Sequence, residues 1–337
     1  MKFGSKIEGG VEETIERQEP SEVTHVKLSI FRHGDKLKPE EGQSADRVLL
    51  SEKGRGEAMD AADPDRDVRQ SLSYGSTKER SRQTAAFKMA GHELEITGDE
   101  SLEELEAKFD ESLQKESIER NPTLESAYNK EENPLEVVGK KIGTDPRLDF
   151  ELDTKTEYGK ALHDSVKKDR YLSFLVEESD KLAKETGDTQ QSTYSSMASG
   201  VADLIVKYAK VSQNWDRLYR ADHAPEKENP KGYEDTLERL MGSHQGIGEA
   251  FLCEVMKRTE GEDTRDAFVE SLNNKGFGDV EGFDLDISMR EGGEPVIRIT
   301  FSKEYQKDGE TRSFSFDREV PSDILEEIAQ MDRRWEN

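Results

Sequence analysis

The chain has 337 residues, with 49 Lys and Arg against 75 Asp and Glu, a formal net charge of −26. This length allows one large or two ordinary domains, and 32% hydrophobic residues is lean but sufficient for a core if they cluster, which excludes wholesale disorder. Nucleic acids and anionic membranes need Lys and Arg to neutralise phosphate, so so acidic a chain is not expected to bind either.

Residues 1–22 are polar, Glu-rich and bounded by Pro20, which predicts a flexible arm. Val26–Phe31 alternates apolar and polar residues as a strand does, and it stops at Arg32-His33-Gly34. Polar loop residues continue to Asp46. Ser51 then caps a predicted helix carrying Ala58, Met59 and Ala62. Ser71–Tyr74 reads as a second strand ending at Gly75-Ser76, and a helix is predicted from about 78 to 91. A third strand is expected around 94–96. The alternation of strand and helix argues for an α/β domain with a largely parallel sheet.

Residues 99–135 are highly charged, with spaced Leu102, Leu105 and Leu113, and are expected to be exposed helices of an insertion running to about 235. Two further helices are predicted over 166–187 and 192–220, and a polar loop follows at 222–232. Leu237–Ser243 reads as a strand despite Glu238 and Arg239, ending at Ser243-His244-Gln245-Gly246. A helix over 247–257 contains Cys253. Three alternating segments, 283–289, 296–302 and 313–317, then read as a β meander, and a short helix near 324–331 closes the chain. The expected architecture is a three-layer α/β/α sandwich with a mostly parallel central sheet, a helical insertion and a C-terminal β meander. Its catalytic domain would span 23–320, followed by a helix and tail over 321–337.

One cysteine permits no intrachain disulfide, which fits a reducing compartment. The N-terminus has no apolar run of the signal-peptide kind, and no stretch of about 18 apolar residues occurs. These features predict a soluble, cytoplasmic protein. No pair of histidines has metal-ligand spacing, and a single Cys builds no thiolate site, so no metal or other cofactor is expected. His25, His92, His163 and His223 have no motif around them and are expected to be structural or on the surface.

Three polar clusters each follow a predicted strand: Arg32-His33-Gly34, Ser76–Arg80 and Ser243–Gly246. Ligand sites in open α/β sheets gather at the carboxyl ends of strands, so parallel neighbouring strands would bring two imidazoles and at least two guanidiniums into one pocket. That mixture suits phosphoryl transfer. Arginine binds a phosphate dianion through paired planar donors. A neutral imidazole can attack phosphorus, nearby cations keep it unprotonated, and a carboxylic acid must protonate the leaving oxygen.

Four segments in this order resemble the histidine phosphatases, the superfamily of phosphoglycerate mutases and acid phosphatases. Phe31-Arg32-His33-Gly34 is similar to the Arg-His-Gly signature. Leu50–Ala58 is similar to Leu-Thr-x-x-Gly-x-x-Gln-Ala, and Ser76–Ala85 to Ser-x-Leu-x-Arg-Ala-x-Gln-Thr-Ala. Ser243-His244 resembles the late Ser-His segment. The resemblance implies that His33 is the phosphorylated nucleophile, that Arg32, Arg80 and His244 bind the phosphoryl group, and that no metal is needed. Arg82 competes with Arg80 for its role.

For the acid, Asp145–Glu151 resembles a Leu-x-Glu segment with one residue too many, which favours Glu151 over Asp149. The acid-phosphatase branch instead has Asp after the late histidine, where this chain has Gln245. That branch also has Arg-His-Gly-x-Arg, and Lys36 at the last place either adds a charge to the pocket or is a solvated loop residue. The implied activity is a phosphatase working through phosphohistidine on a phosphorylated small molecule or phosphopeptide. The alternatives are a phosphoglycerate mutase, which the loop after Gly34 does not match, and a phospho-ligand-binding protein without turnover. The net acidity favours a small or basic substrate over a polyanion. Oligomeric state is not legible.

Overall fold

The central strand β1, Val23–Arg32, alternates its side chains between two cores in the computed structural model. Val26, Leu28 and Ile30 enter one core and Phe31 enters the other, the period-2 consequence of a pleated strand covered on both faces. The structure describes residues 23–39, 41–63, 71–90, 142–227, 232–290 and 293–332, together with Arg334 and positions 100, 101, 103, 104, 107 and 108. The expected arm over 1–22, the expected strand at 94–96 and most of the expected helical insertion from 99 lie outside them.

The other strands are β2 (Ser71–Gly75), β3 (Ile142–Thr144), β4 (Thr236–Ser243), β5 (Gly282–Arg290), β6 (Val296–Lys307) and β7 (Glu310–Glu319). They form one sheet in the order β3-β2-β4-β1-β5-β6-β7. The first four are mutually parallel and β5 to β7 are antiparallel, which is the predicted mixed sheet with a C-terminal meander. The untidy strand over 237–243 forms as read. Its awkward Arg239 is buried, and Glu238 accepts a hydrogen bond from Ser71 across the β2–β4 pair at 3.0 Å. β3 is a strand the pattern did not reveal.

Helices cover both faces, giving three layers. On one face lie α1 (Glu52–Asp60) and α2 (Glu79–Ala90), which supply Ala58, Ala85, Ala86, Phe87 and Met89 to the smaller core. Ser51 caps α1 as expected, accepting from the Gly54 amide at 3.1 Å. The larger core on the other face is built by α3 (Glu157–Lys167), α4 (Tyr171–Phe174), a π-turn over Leu175–Ser179, α5 (Asp180–Thr186), α6 (Tyr194–Asp222), α7 (Ile247–Thr259), α8 (Glu262–Ser271) and α9 (Ser322–Ala329). The helix predicted over 166–187 is split at its start, because Asp169 takes a left-handed φ of 51° between α3 and α4. No helix among the described residues is long and apolar enough to cross a membrane.

Candidate active site

The carboxyl ends of β1, β2 and β4 lie side by side, since β4 pairs with both others. The alignment continues past the strands. The His33 amide donates to the Ser243 carbonyl at 2.9 Å, which sets the two histidine segments next to each other. Gly34 is required by crowding, because a Cβ there would lie 2.7 Å from the Gly54 carbonyl oxygen. Its amide donates to Thr84 Oγ1 at 3.1 Å, and that hydroxyl donates to the Arg80 carbonyl at 2.8 Å, so α2 holds the β1 loop.

His33 is buried, with Nδ1 2.7 Å from its neighbour's carbonyl at Gly34 and Nε2 3.1 Å from Arg80 Nε. A carbonyl only accepts and a guanidinium only donates. The proton is therefore assigned to Nδ1, which leaves the Nε2 lone pair facing Arg80. Burial pushes the imidazole down to about 3, and the cations Arg80, Arg32 and Lys36 add to that, outweighing the Gly34 hydrogen bond. His33 is thus a neutral imidazole at pH 7.

His244 lies edge-on to His33, with ring centroids 5.2 Å apart and planes at 70°. Its Nε2 is 2.7 Å from Ser76 Oγ, which is 2.7 Å from Ser81 Oγ. Ser81 gives its proton to the Lys78 carbonyl, so Ser76 must donate to Ser81 and His244 Nε2 must donate to Ser76. Burial holds His244 well below the ordinary imidazole range, followed by His33, Arg80, Lys78 and Lys36.

Arg80 is buried and also donates from Nη1 to the Ala45 carbonyl at 2.8 Å. Arg32 donates from Nη1 to the Phe277 carbonyl at 2.7 Å and approaches Asp279 at 3.3 Å. Phe277 is itself fixed through Glu249, a buried carboxylate that accepts from the Phe277 and Gly246 amides at 2.7 and 2.8 Å. Burial pushes Glu249 up to about 7. Lys36 has its backbone bridged to Leu50 and its side chain exposed, and its ammonium is lowered by desolvation and then by Arg80, Arg32 and Lys78.

Lys78 also belongs to this group, and the sequence reading missed it. Its Nζ donates to the Phe150 carbonyl at 3.0 Å and meets Glu151 Oε1 at 3.2 Å. A lysine in a Ser/Thr-rich turn carries no mark of burial. The two carboxylates weighed as acid differ. Glu151 is 65% exposed and engaged by Lys78. Asp149 is half-buried, its Oδ1 accepts from Thr77 N and Oγ1 at 2.8 and 2.9 Å, and burial raises its carboxyl above the usual range.

The remaining histidines have other surroundings. His25 pairs with Asp286 at 2.9 Å, and His223 Nδ1 lies 3.0 Å from the Tyr219 carbonyl. His163 sits on α3, and His92 lies outside the described residues. Among the described residues, no three His, Cys, Asp or Glu side chains group as a metal site.

Residues 28–143 match the family model described as histidine phosphatase superfamily (branch 1). That span holds Arg32, His33 and Arg80 and ends before His244. No curated protein matches the sequence. Among solved structures, a mycobacterial glucosyl-3-phosphoglycerate phosphatase is 15% identical, with 79% of this chain and 90% of that one covered and a TM-score of 0.35. A phosphoglycerate mutase from Bacillus anthracis str. Sterne is 12% identical, with 92% and 99% covered and a TM-score of 0.37. A phosphoserine phosphatase from Entamoeba histolytica, in complex with 3-phosphoglyceric acid, is 15% identical, with 81% and 94% covered and a TM-score of 0.32.

Proposed function

We propose that this chain, a member of the histidine phosphatase superfamily through residues 28–143, is a phosphatase that hydrolyses a phosphomonoester through phosphohistidine on His33. The observation that carries the reading is the state of His33: neutral, with its proton on the Gly34 side and its free lone pair on Nε2 beside Arg80. A nucleophile must be unprotonated at the attacking atom, and this imidazole is so across the neutral range.

In the first step, Nε2 attacks phosphorus in line with the ester oxygen, the P–O bond breaks, and a carboxylic acid gives its proton to the leaving alkoxide. Arg80 turns its donors from Nε2 to the phosphoryl oxygens, and Arg32 meets the same group with its own fork. His244 takes up a proton as the dianion arrives, because the incoming charge opposes the burial that keeps the ring neutral. In the second step water attacks phosphorus, its proton returns to the carboxylate, the N–P bond breaks, and inorganic phosphate leaves.

Asp149 and Glu151 both remain candidates for the acid. Asp149 is the better supported, since Thr77 orients it and burial favours its protonated form. Glu151 is exposed and committed to Lys78.

The test is turnover of p-nitrophenyl phosphate by the wild type and by His33→Ala, with acid-labile, alkali-stable phosphate trapped on the protein. The variant is expected to lose at least about a thousandfold in kcat and all trapped label. Equal turnover by the variant overturns the reading. A loss in Asp149→Asn exceeding that in Glu151→Gln, greatest with poor leaving groups, supports Asp149 as the acid.

A further inference from the structure

Glu249 is fully buried in the first turn of α7, and its two oxygens face different turns. Oε2 accepts from the amide of Gly246, two residues after His244, at 2.8 Å. Oε1 accepts from the Phe277 amide at 2.7 Å, and the carbonyl of the same Phe277 holds Arg32. One carboxylate thus joins the turn that carries His244 to the turn that aims the Arg32 guanidinium. The approach is close, since a Cβ at Gly276 would lie 2.7 Å from Oε1. Gln245 adds a tie beside it, donating from Nε2 to the Lys275 carbonyl. Tyr171 braces the first turn, its hydroxyl donating to the Gln245 carbonyl at 3.1 Å.

Packing alone does not call for a carboxylate here. No cation among the described residues lies within ion-pair distance of it, and Arg32 acts on it only through space. A buried charge of this kind is costly, and an apolar side chain would avoid the cost. A carboxylate offers acceptors and no donor, which matches two N–H groups. A glutamine or a protonated glutamate turns a donor toward one of those amides and releases that turn. The titratable groups that face Glu249 are Arg32 from β1, Tyr171 from α4 and Cys253 from the next turn of α7. Burial raises Tyr171 and Cys253, so both stay neutral. Lys275, on the facing loop, pairs with Asp169 at 3.2 Å. Arg32 is therefore the charge to which Glu249 answers.

We infer that Glu249 is a positioning residue for phosphoryl binding: by tying the Gly246 and Phe277 amides together, it holds the Arg32 fork in register with His244. The inference rests on the reading of Arg32 and His244 as phosphoryl-binding groups. Only the ionised carboxylate makes both ties, and burial moves its ionisation from 4.5 to about 7. The stability tied to its proton is complete below 4.5 and is lost as pH rises through about 7. Phosphoryl binding gains from the same ionisation, so fold and site answer to Glu249 with opposite sign.

The experiment compares full-length wild type, Glu249→Gln and Glu249→Asp at pH 5.5 and 8.5. It reads kcat/KM for p-nitrophenyl phosphate and calorimetric binding of inorganic phosphate. Ratios of wild type to variant cancel the ionisation of the probe. For Glu249→Gln the ratio is expected near one at pH 5.5, where the wild type is itself protonated. At pH 8.5 it should reach about tenfold, carried by KM rather than kcat. Glu249→Asp, too short to reach both amides, is the second variant should the first not fold, and it should show the same loss at pH 8.5. Glu254→Gln is the control. That carboxylate lies on the same helix, is 3% exposed, and is held by Tyr194 and Arg258 at 2.9 and 2.8 Å. Its loss should lower Tm and leave the ratio near one at both pH values. A Glu249→Gln ratio that does not change with pH, or a Glu249→Asp protein that matches wild type at pH 8.5, overturns the inference and leaves the phosphatase reading standing. Phosphate affinity that follows Glu249 in a protein hydrolysing no ester supports the inference and counts against the phosphatase reading.

Discussion

The two halves of the sheet bury different kinds of group. Behind the parallel strands β3, β2, β4 and β1 lie polar side chains such as Ser76, Ser81, Gln83, Thr84, His33 and Arg80. Each finds a hydrogen-bond partner, as a buried polar group must. Behind the antiparallel strands lies an aromatic cluster in which Phe268 meets Phe277, Phe301 and Phe314 with ring centroids 6.3, 5.2 and 5.9 Å apart. The first arrangement keeps two imidazoles neutral beside fixed cations. The second excludes water and has no chemistry of its own. The difference separates the candidate site from the aromatic packing, and Phe277 links the two: it belongs to the aromatic cluster, and its carbonyl holds Arg32.

Deleting the centre of the aromatic cluster should produce the largest effect. Phe268→Ala is expected to cost about 3–5 kcal/mol in urea unfolding, while kcat per folded molecule, measured well below the new Tm, stays within about twofold. A large fall in kcat at intact stability would break the separation. Acid should act next, and through the parallel half. His33 titrates at about 3 in the folded protein against an ordinary 6.5. Between those values the unfolded chain binds a proton that the native state does not, so stability falls as pH drops. At pH 4.5, two units below the ordinary value, the His33 share is about 2.7 kcal/mol relative to pH 7 or above. His33→Gln should lose that share of the acid slope, and urea midpoints at pH 7 and 4.5 measure it. The smallest effect is expected for Thr84→Val, which removes the acceptor of the Gly34 amide inside the polar half. It should cost about 1–2 kcal/mol and also lower kcat, so that here, unlike in the aromatic half, stability and turnover fall together.

The sequence revealed what is written in consecutive residues. Val26–Phe31 alternates and then breaks at Arg32-His33, so strand and site declare each other. The same grammar gave Ser71–Ser76 and Leu237–His244, and three parallel neighbours followed from strand–helix alternation. Ile142–Thr144 was hidden because three residues show no period. Glu262–Ser271 was hidden because its helix is polar around most of its surface and its buried side is little more than Phe268 and Ser271. Lys78 was hidden for a different reason. Its burial is made by Phe150 and Glu151, more than seventy residues away, and no local pattern records a contact of that range. The same distance explains Asp149, whose orientation comes from Thr77 rather than from its own segment.

The hydrogen bond from Arg80 Nε to His33 Nε2 has a consequence for the accessibility of that nitrogen. That nitrogen has one lone pair, and the guanidinium is already using it. A neutral electrophile wandering into the site meets a capped ring and has nothing with which to dislodge the cap. If a phosphate ester is the substrate, as proposed, its negative charge would draw the guanidinium onto itself and bare the nitrogen in the same movement. On the proposed phosphatase reading, the group that recognises the substrate would therefore also be the safety catch on the nucleophile.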